Sequence, residues 1–291
     1  MRKLIVSLLL VGVLVVPAGA VTLDNGGTGT DEFSVVINEN AYSTEAYIQA
    51  PGEGRDNLMF EYFPVVDVGG SASRFSGGSW SDSDPSDGIV TSTGSTQGVN
   101  WSVTHTLPSG SEYMTSEYTL SGQDGGNLPE MTFWQYLDED VYSISNNILV
   151  DSGSIADGNL DLLTVHPDIQ AGVEQSADDK ATGWAADEYS DLRANLLAGG
   201  FDGAPGGTVD TADLGTTTDP TYGFAYGPED ITTAIEWEIA GGMQSYSFRT
   251  ALGGLPEAES PDGVIPEPAT TGLLLVGLAG AGAVALCRRR K

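Results

Sequence analysis

Three short stretches gather the oxygen ligands that a hard cation prefers. SDSDPSDG offers Asp82, Asp84 and Asp87, ADGNLDLL offers Asp157, Asn159 and Asp161, and FDGAPGGTVDTADLG offers Asp210 and Asp213. Alternating carboxylate and amide oxygens in a turn form the start of a calcium loop. The first two stretches lack the distal bidentate Glu that closes such a loop, and the third has Ala204 and Gly206 where early ligands would stand. Calcium at these turns is the one cofactor the acids suggest. The plain alternative is solvated turn residues, because Asp favours turns and a chain with 41 acids produces such spacings by chance.

Other chemistry finds fewer residues. Cys287 is the only cysteine, which leaves the body without a disulfide, a thiol nucleophile or a cysteine metal site. The histidines are His105, on the apolar face of an alternating strand pattern, and His166 before Pro167; two histidines do not make a zinc site. No G-x-S-x-G elbow is present. A glycoside hydrolase needs two carboxylates at a set separation, and among so many acids the sequence singles out no pair. Trp80 and Trp184, in Gly/Ser/Asp-rich surroundings, offer faces for sugar rings, with core packing or loop anchoring as the simpler reading. No catalytic residue is assigned, and the protein is read as a non-enzyme.

The charge is lopsided. All 41 Asp and Glu lie between Val21 and Pro268, with only Arg55, Arg74, Lys180, Arg193 and Arg249 to offset them, so this region stands at −36. Such a body repels nucleic acid and anionic lipid, and suits cations or a saline medium that screens it.

Both ends are of another kind. MRKLIVSLLLVGVLVVPAGA has Arg2 and Lys3, an apolar run from Leu4 to Val16, then small residues with Ala18 and Ala20 at the −3 and −1 positions. That is the layout of a signal peptide cleaved by signal peptidase after Ala20, and its run is short for a membrane span. At the other end, Ala269–Cys287 are 19 uncharged residues. As a helix they reach about 28 Å, close to the hydrocarbon core of a bilayer. Arg288, Arg289, Arg290 and Lys291 follow and hold the C-terminus in the cytoplasm. Gly272, Gly277, Gly280 and Gly282 weaken the helix as a permanent anchor. Pro266-Glu267-Pro268 keeps an extended peptide at the outer surface, since each proline fixes φ and disfavours helix before it.

VIPEPATTGLLLVGLAGAGAVALCRRRK, with its Pro-Glu-Pro triplet, single span and Arg-rich end in that order, resembles a PEP-CTERM sorting signal. The resemblance implies that an exosortase, a multi-span membrane cysteine transpeptidase, cuts near Pro266, Glu267 and Pro268. It also implies a Gram-negative host that makes exopolysaccharide, and a destination at the cell surface or in the matrix. In that reaction the triplet is substrate, so Glu267 is not a catalytic acid of this protein. The loop at Asp210 and Asp213 is similar to a dockerin loop without its first half.

Between the ends the apolar period is mostly two. GVNWSVTHTL sets Val99, Trp101, Val103, His105 and Leu107 against Asn100, Ser102, Thr104 and Thr106, and EMTFWQYL sets Met131, Phe133, Gln135 and Leu137 against Thr132, Trp134 and Tyr136. AIEWEIAGGMQSYSFRTAL reads as a hairpin turning at Gly241-Gly242. Further strands are expected at Glu32–Ile37, Leu58–Val66, Glu112–Leu120, Val141–Val150 and Leu160–Val165. One helix is expected in DEYSDLRANLLAGG, with Tyr189, Leu192 and Leu196 on one face and Gly199 as its stop. The segments FWQYLDEDVY and AIEWEIAGGMQSYSF resemble strands of uncharacterised secreted sandwich domains that carry the same sorting tail.

The expected architecture is therefore all-β: an antiparallel β-sandwich of about ten strands with one short helix. Residues 1–20 form the signal peptide, 21–254 the acidic body, 255–265 a Pro- and acid-rich linker, and 266–291 the sorting signal. The function expected is that of an exported surface or matrix protein associated with exopolysaccharide. A polysaccharide-active enzyme and a calcium-dependent adhesin are the alternatives.

Overall fold

A computed structural model describes residues 19–49, 55–141, 146–154, 159–168, 171–201, 203–205, 207–221 and 223–255. Ala18, the sorting triplet Pro266, Glu267 and Pro268, the 269–287 run, the basic end and Asp157 lie outside the described residues. Among the described residues no helix is long and apolar enough to cross a membrane.

Ala20 directly precedes β1 (Val21–Asp24), which leads into β2 (Phe33–Ile37), β3 (Ser43–Gln49), the short β4 (Arg55–Asn57), β5 (Met59–Asp67) and β6 (Ala72–Arg74). The chain then makes β7 (Ser79–Asp82), β8 (Ile89–Thr96), β9 (Val99–Thr106), β10 (Tyr113–Gly122) and β11 (Met131–Glu139). Next come β12 (Asn147–Ser154), β13 (Asn159–His166), β14 (Ala171–Ala177) and β15 (Gly183–Glu188), followed by α1 (Tyr189–Ala198). The last strands are β16 (Thr208–Val209), β17 (Thr217–Asp219), β18 (Gly223–Glu229), β19 (Ile231–Ile239) and β20 (Ser245–Leu255).

These strands make two ten-stranded sheets. The first runs β1-β2-β3-β5-β11-β19-β15-β16, with β4 beside β3 and β6 beside β5; the second runs β17-β18-β12-β13-β14-β20-β10-β9-β8-β7. Pairing is antiparallel except between β15 and β16. The sandwich thus has twice the expected strands, because edge strands of two to four residues, such as β6, β16 and β17, leave no apolar alternation to read.

The sheets meet over aromatic rings. Phe133 of the first sheet touches Phe248 and Tyr118 of the second at 4.6 and 5.0 Å between centroids, and Trp237 completes the group. Strand β9 alternates as expected, with Val99, Trp101, Val103 and His105 buried and their neighbours half-buried. His105 Nδ1 lies 2.9 Å from Ser116 Oγ, and burial lowers its pKa to about 3, so it is a neutral core residue.

Strand β11 departs from alternation, since nearly all of it is buried. Its inner face holds Met131, Phe133 and Leu137 in the inter-sheet core, while Trp134 and Tyr136 on the outer face lie under α1. Leu192 and Leu196 of the helix pack there with Phe63, Val65, Ala185 and Ala234, and Gly199 ends it at φ +81°. The inner face also carries polar groups. Thr233 Oγ1 sits 2.5 Å from Glu139 Oε1 and 3.1 Å from Gln175 Oε1, and the Tyr118 hydroxyl donates to Gln135 at 2.6 Å. Burial pushes the Glu139 carboxyl well up.

Candidate functional site

Register across the first sheet places four residues in one row on its outer face. Asp138 of β11 stands opposite Glu61 of β5 and Thr232 of β19, and Thr232 stands opposite Asp187 of β15. Opposed residues of antiparallel strands share a face, so three carboxylates line the end of the sheet where α1 begins.

Glu61 is neutralised. Arg193 Nε approaches Glu61 Oε2 at 2.6 Å and Arg74 Nη2 at 3.4 Å, and the Tyr42 hydroxyl donates to Oε1 at 3.2 Å. Although burial opposes it, the hydrogen bond from Arg193 and the two guanidinium charges hold this carboxyl below its ordinary range. Arg74 also lies 3.7 Å from the centre of the Phe63 ring.

Asp138 is resolved differently. It is 2% exposed, and its oxygens lie within 4.8 Å of carboxylate oxygens of Asp140 and Asp230. Burial first, and then the charges of Asp140 and Asp230, push its pKa up to about 8. Asp230 rises to about 6 through burial and through Asp140, Glu188 and Glu229. The backbone fixes two of these residues: Asp140 donates to the Leu58 carbonyl at 3.0 Å, and the Asp230 carbonyl accepts from Tyr189 N at 3.2 Å.

An aromatic pair stands beside the acids. Asp138 pairs Glu61 but Glu139 pairs Met59, so Phe60 is the extra residue of a β-bulge. Bulges re-aim a side chain, and this one leaves Phe60 52% exposed. Its ring meets Tyr189 edge-on, 6.0 Å between centroids at 88°. A second acidic group, Asp187, Asp210 and Asp213, continues the rim with oxygens again within 4.8 Å. At the opposite end of the same sheet, an open cleft of about 880 Å³ is lined by Asp67, Glu130, Phe201 and Glu238 among others.

The acids singled out in the sequence sit elsewhere. Asp82, Asp84 and Asp87 are exposed, and their Oδ1 atoms accept from the backbone of Asp84, Ser86 and Ile89 at 3.0–3.1 Å, as turn residues do. Asn159 begins β13. Asp161 is buried near Glu174, and burial raises its pKa to about 6. Asp210 and Asp213 do converge, with Asp187. Trp80 is half-buried and donates from Nε1 to the Gly19 carbonyl at 2.6 Å. Trp184 is core, and a Cβ at Gly207 would fall 2.1 Å from its ring, which together with φ +84° requires glycine there. Sequence reasoning passed over Asp138, Asp140, Asp230 and Phe60. Acids closing an apolar strand in LDEDVY were the only signal, and nothing in the sequence ties them to Asp230.

The PEP-CTERM protein-sorting motif matches residues 264–291. It implies an exported protein, processed by an exosortase and destined for the surface or the extracellular space. Among curated proteins no relative matches this sequence. Among solved structures the chain is similar to a bacterial glucoamylase complexed with acarbose, at TM-score 0.55 and 12% identity. The match covers 89% of this chain and 34% of that one, so this chain spans about a third of the glucoamylase. It is also similar to a putative aldose 1-epimerase from Escherichia coli K12, at TM-score 0.43 and 8% identity over 81% of this chain and 99% of that one. At such identities the first likeness establishes a shared β-sandwich fold.

Proposed function

We propose that this is a non-enzymatic surface or matrix protein of an exopolysaccharide-making Gram-negative bacterium. A cleaved signal peptide carries it across the inner membrane, and the 269–287 segment anchors it there until exosortase cuts at Pro266-Glu267-Pro268. The observation that carries this reading is the PEP-CTERM motif at 264–291. Intact mass spectrometry of the protein from cells with and without the exosortase tests it. The tail should be lost only when the enzyme is present, and Glu267→Ala should retain it. Equal masses in all three samples would refute the assignment.

The body binds saccharide at the bulged rim. Phe60 offers an exposed ring face, and the carboxylates beside it accept hydrogen bonds from sugar hydroxyls. A region at −36 repels an acidic polymer, so the polysaccharide it meets directly is neutral.

One observation favours an enzymatic second reading: Asp138, with its pKa at about 8, stays protonated beside Asp230, at about 6. Carboxyls pushed apart in pKa are how acid and base roles are divided. Reducing-end release from the native polysaccharide, abolished by Asp138→Asn, would decide for catalysis; binding without release decides against it.

A further inference from the structure

We infer that the outer face of the second sheet, around Ser102, is a docking surface for a neutral polysaccharide chain, separate from the bulged rim. In β9 and β10 alternate residues are buried in the core while their neighbours are half-buried or exposed, and β8 follows the same rule apart from Gly94. Register joins the outward residues into rows. One row runs Thr93, Ser102, Thr119 and Ser247 across β8, β9, β10 and β20, and the next runs Ser95, Asn100, Ser121 and Ser245. All eight carry a hydroxyl or an amide and none a charge. Solvent-facing positions ordinarily mix charges of both signs, and this region stands at −36. The row beyond holds Glu117 and Arg249, which stand opposite each other and offset. Over the two neutral rows opens a cleft of about 570 Å³, and among the described residues that line it none is charged.

The chemistry of the rows selects the partner. A hydroxyl both donates and accepts, so it meets a sugar hydroxyl in either sense, whereas a carboxylate only accepts. Strand geometry repeats these groups about every 4.8 Å across the sheet and about every 6.8 Å along it. Such a grid suits an extended chain better than a small molecule. Cross-strand bonds fix it: Thr91 Oγ1 lies 3.0 Å from Thr104 Oγ1, and Thr119 Oγ1 lies 3.0 Å from Ser247 Oγ. In each pair one hydroxyl donates, and the other keeps its proton for an outside acceptor. Threonine is also stiff at χ1, so docking orders these side chains at little entropic cost. The two rows offer no ring for stacking and no carboxylate for a cation, and the surrounding charge repels an acidic polymer. A neutral chain held along its hydroxyl edges fits what is left. The rim and this face belong to opposite sheets of the sandwich, so one body can bridge two chains.

This surface takes from the reading above only the neutral polymer as partner, and its test separates the face from the rim. The processed protein is purified from producing cells and bound to their neutral polysaccharide, the fraction that passes an anion exchanger, with the retained acidic fraction as control. Phe60→Ala isolates the face and should keep measurable binding. Adding Thr93→Val/Ser102→Ala/Thr119→Val removes three hydroxyls and little bulk, and should weaken that binding at least about tenfold. Thr93→Ser/Thr119→Ser keeps the hydroxyls and should keep the binding. Light scattering from the neutral polymer should rise with the wild type, and not with Phe60→Ala or the triple variant, each of which has one surface left. Undiminished binding after the three changes, or equal binding to the acidic fraction, would overturn the face. So would binding that vanishes with Phe60→Ala alone. Full binding after Phe60→Ala, lost with the three changes, would refute the rim and leave the face standing. Should the triple variant fail to fold, Thr119→Val in the Phe60→Ala background decides: a loss of about threefold supports the face, and no loss refutes it.

Discussion

Glu61 and Asp138 stand directly opposite each other on neighbouring strands, share one face, and are both buried, yet they end in opposite electrostatic states. Glu61 has two arginines and a tyrosine hydroxyl, and its carboxyl is held low. Asp138 has two more aspartates, and its carboxyl is pushed to about 8. Like charges placed opposite each other in a sheet repel. A body with five basic residues cannot give every buried acid a guanidinium. Where arginine is absent, a proton or an ion from the medium must take its place.

The largest expected effect comes from making Glu61 resemble Asp138. Arg193→Ala removes the 2.6 Å contact and strands a carboxylate that is 8% exposed. With Arg193 itself 32% exposed, a loss of about 2 kcal/mol is expected. Urea unfolding at neutral pH measures it, and an unchanged midpoint would show that Arg74 suffices.

The reverse change is next. Without divalent cations the native state keeps a proton on Asp138 that the unfolded chain releases above pH 3.8. Stability from this group is therefore present at low pH and falls as pH rises toward about 8, by up to about 1.4 kcal/mol per pH unit. Asp138→Asn should flatten that fall and melt above the wild type at pH 8 in EDTA, by about 1–2 kcal/mol. Glu61 works in the opposite sense: its lowered pKa stabilises above 4.5 and is lost in acid. A pH series of melts separates the two, and an Asn variant whose advantage over the wild type is no greater at pH 8 than at pH 5 would contradict it.

The smallest effect on stability belongs to the bulge. Phe60 is 52% exposed, so Phe60→Ala should shift unfolding by less than about 0.5 kcal/mol. Retention on a neutral polysaccharide column should nevertheless drop. Retention equal to the wild type would move the saccharide surface elsewhere.

Much of the fold was legible because half-covered strands write their burial into the sequence. Strand β9 reads correctly residue by residue, and α1 begins at Tyr189 and ends at Gly199. The expected hairpin at Gly241-Gly242 is instead a crossing between layers: β19 pairs with β11 and β15 in the first sheet and β20 with β10 and β14 in the second, because alternating strands read the same whether they pair with each other or face each other across the core. Strand β11 was half legible: Phe133 and Leu137 face inward as expected, but Trp134 and Tyr136 are buried as well, because a helix some fifty residues later covers them. The acidic rim was not legible. Asp138 and Asp230 lie far apart in the chain and meet only through the pairing of β11 with β19. Phe60 is turned outward by a register shift that leaves no mark in a period-two pattern. The turn acids attracted notice for the opposite reason, since local spacing is what a sequence displays.

The strand from which the sorting tail departs has a mechanical meaning. Strand β20 lies inside the second sheet, paired with β10 from Ser245 through Gly253 and with β14 from Thr250 through Leu255. While the protein is tethered, a drag force on the body is delivered along an interior strand and shared by two flanking ladders. Detachment must shear both together instead of peeling an edge, so the load path to the membrane starts in the most interlocked part of that sheet.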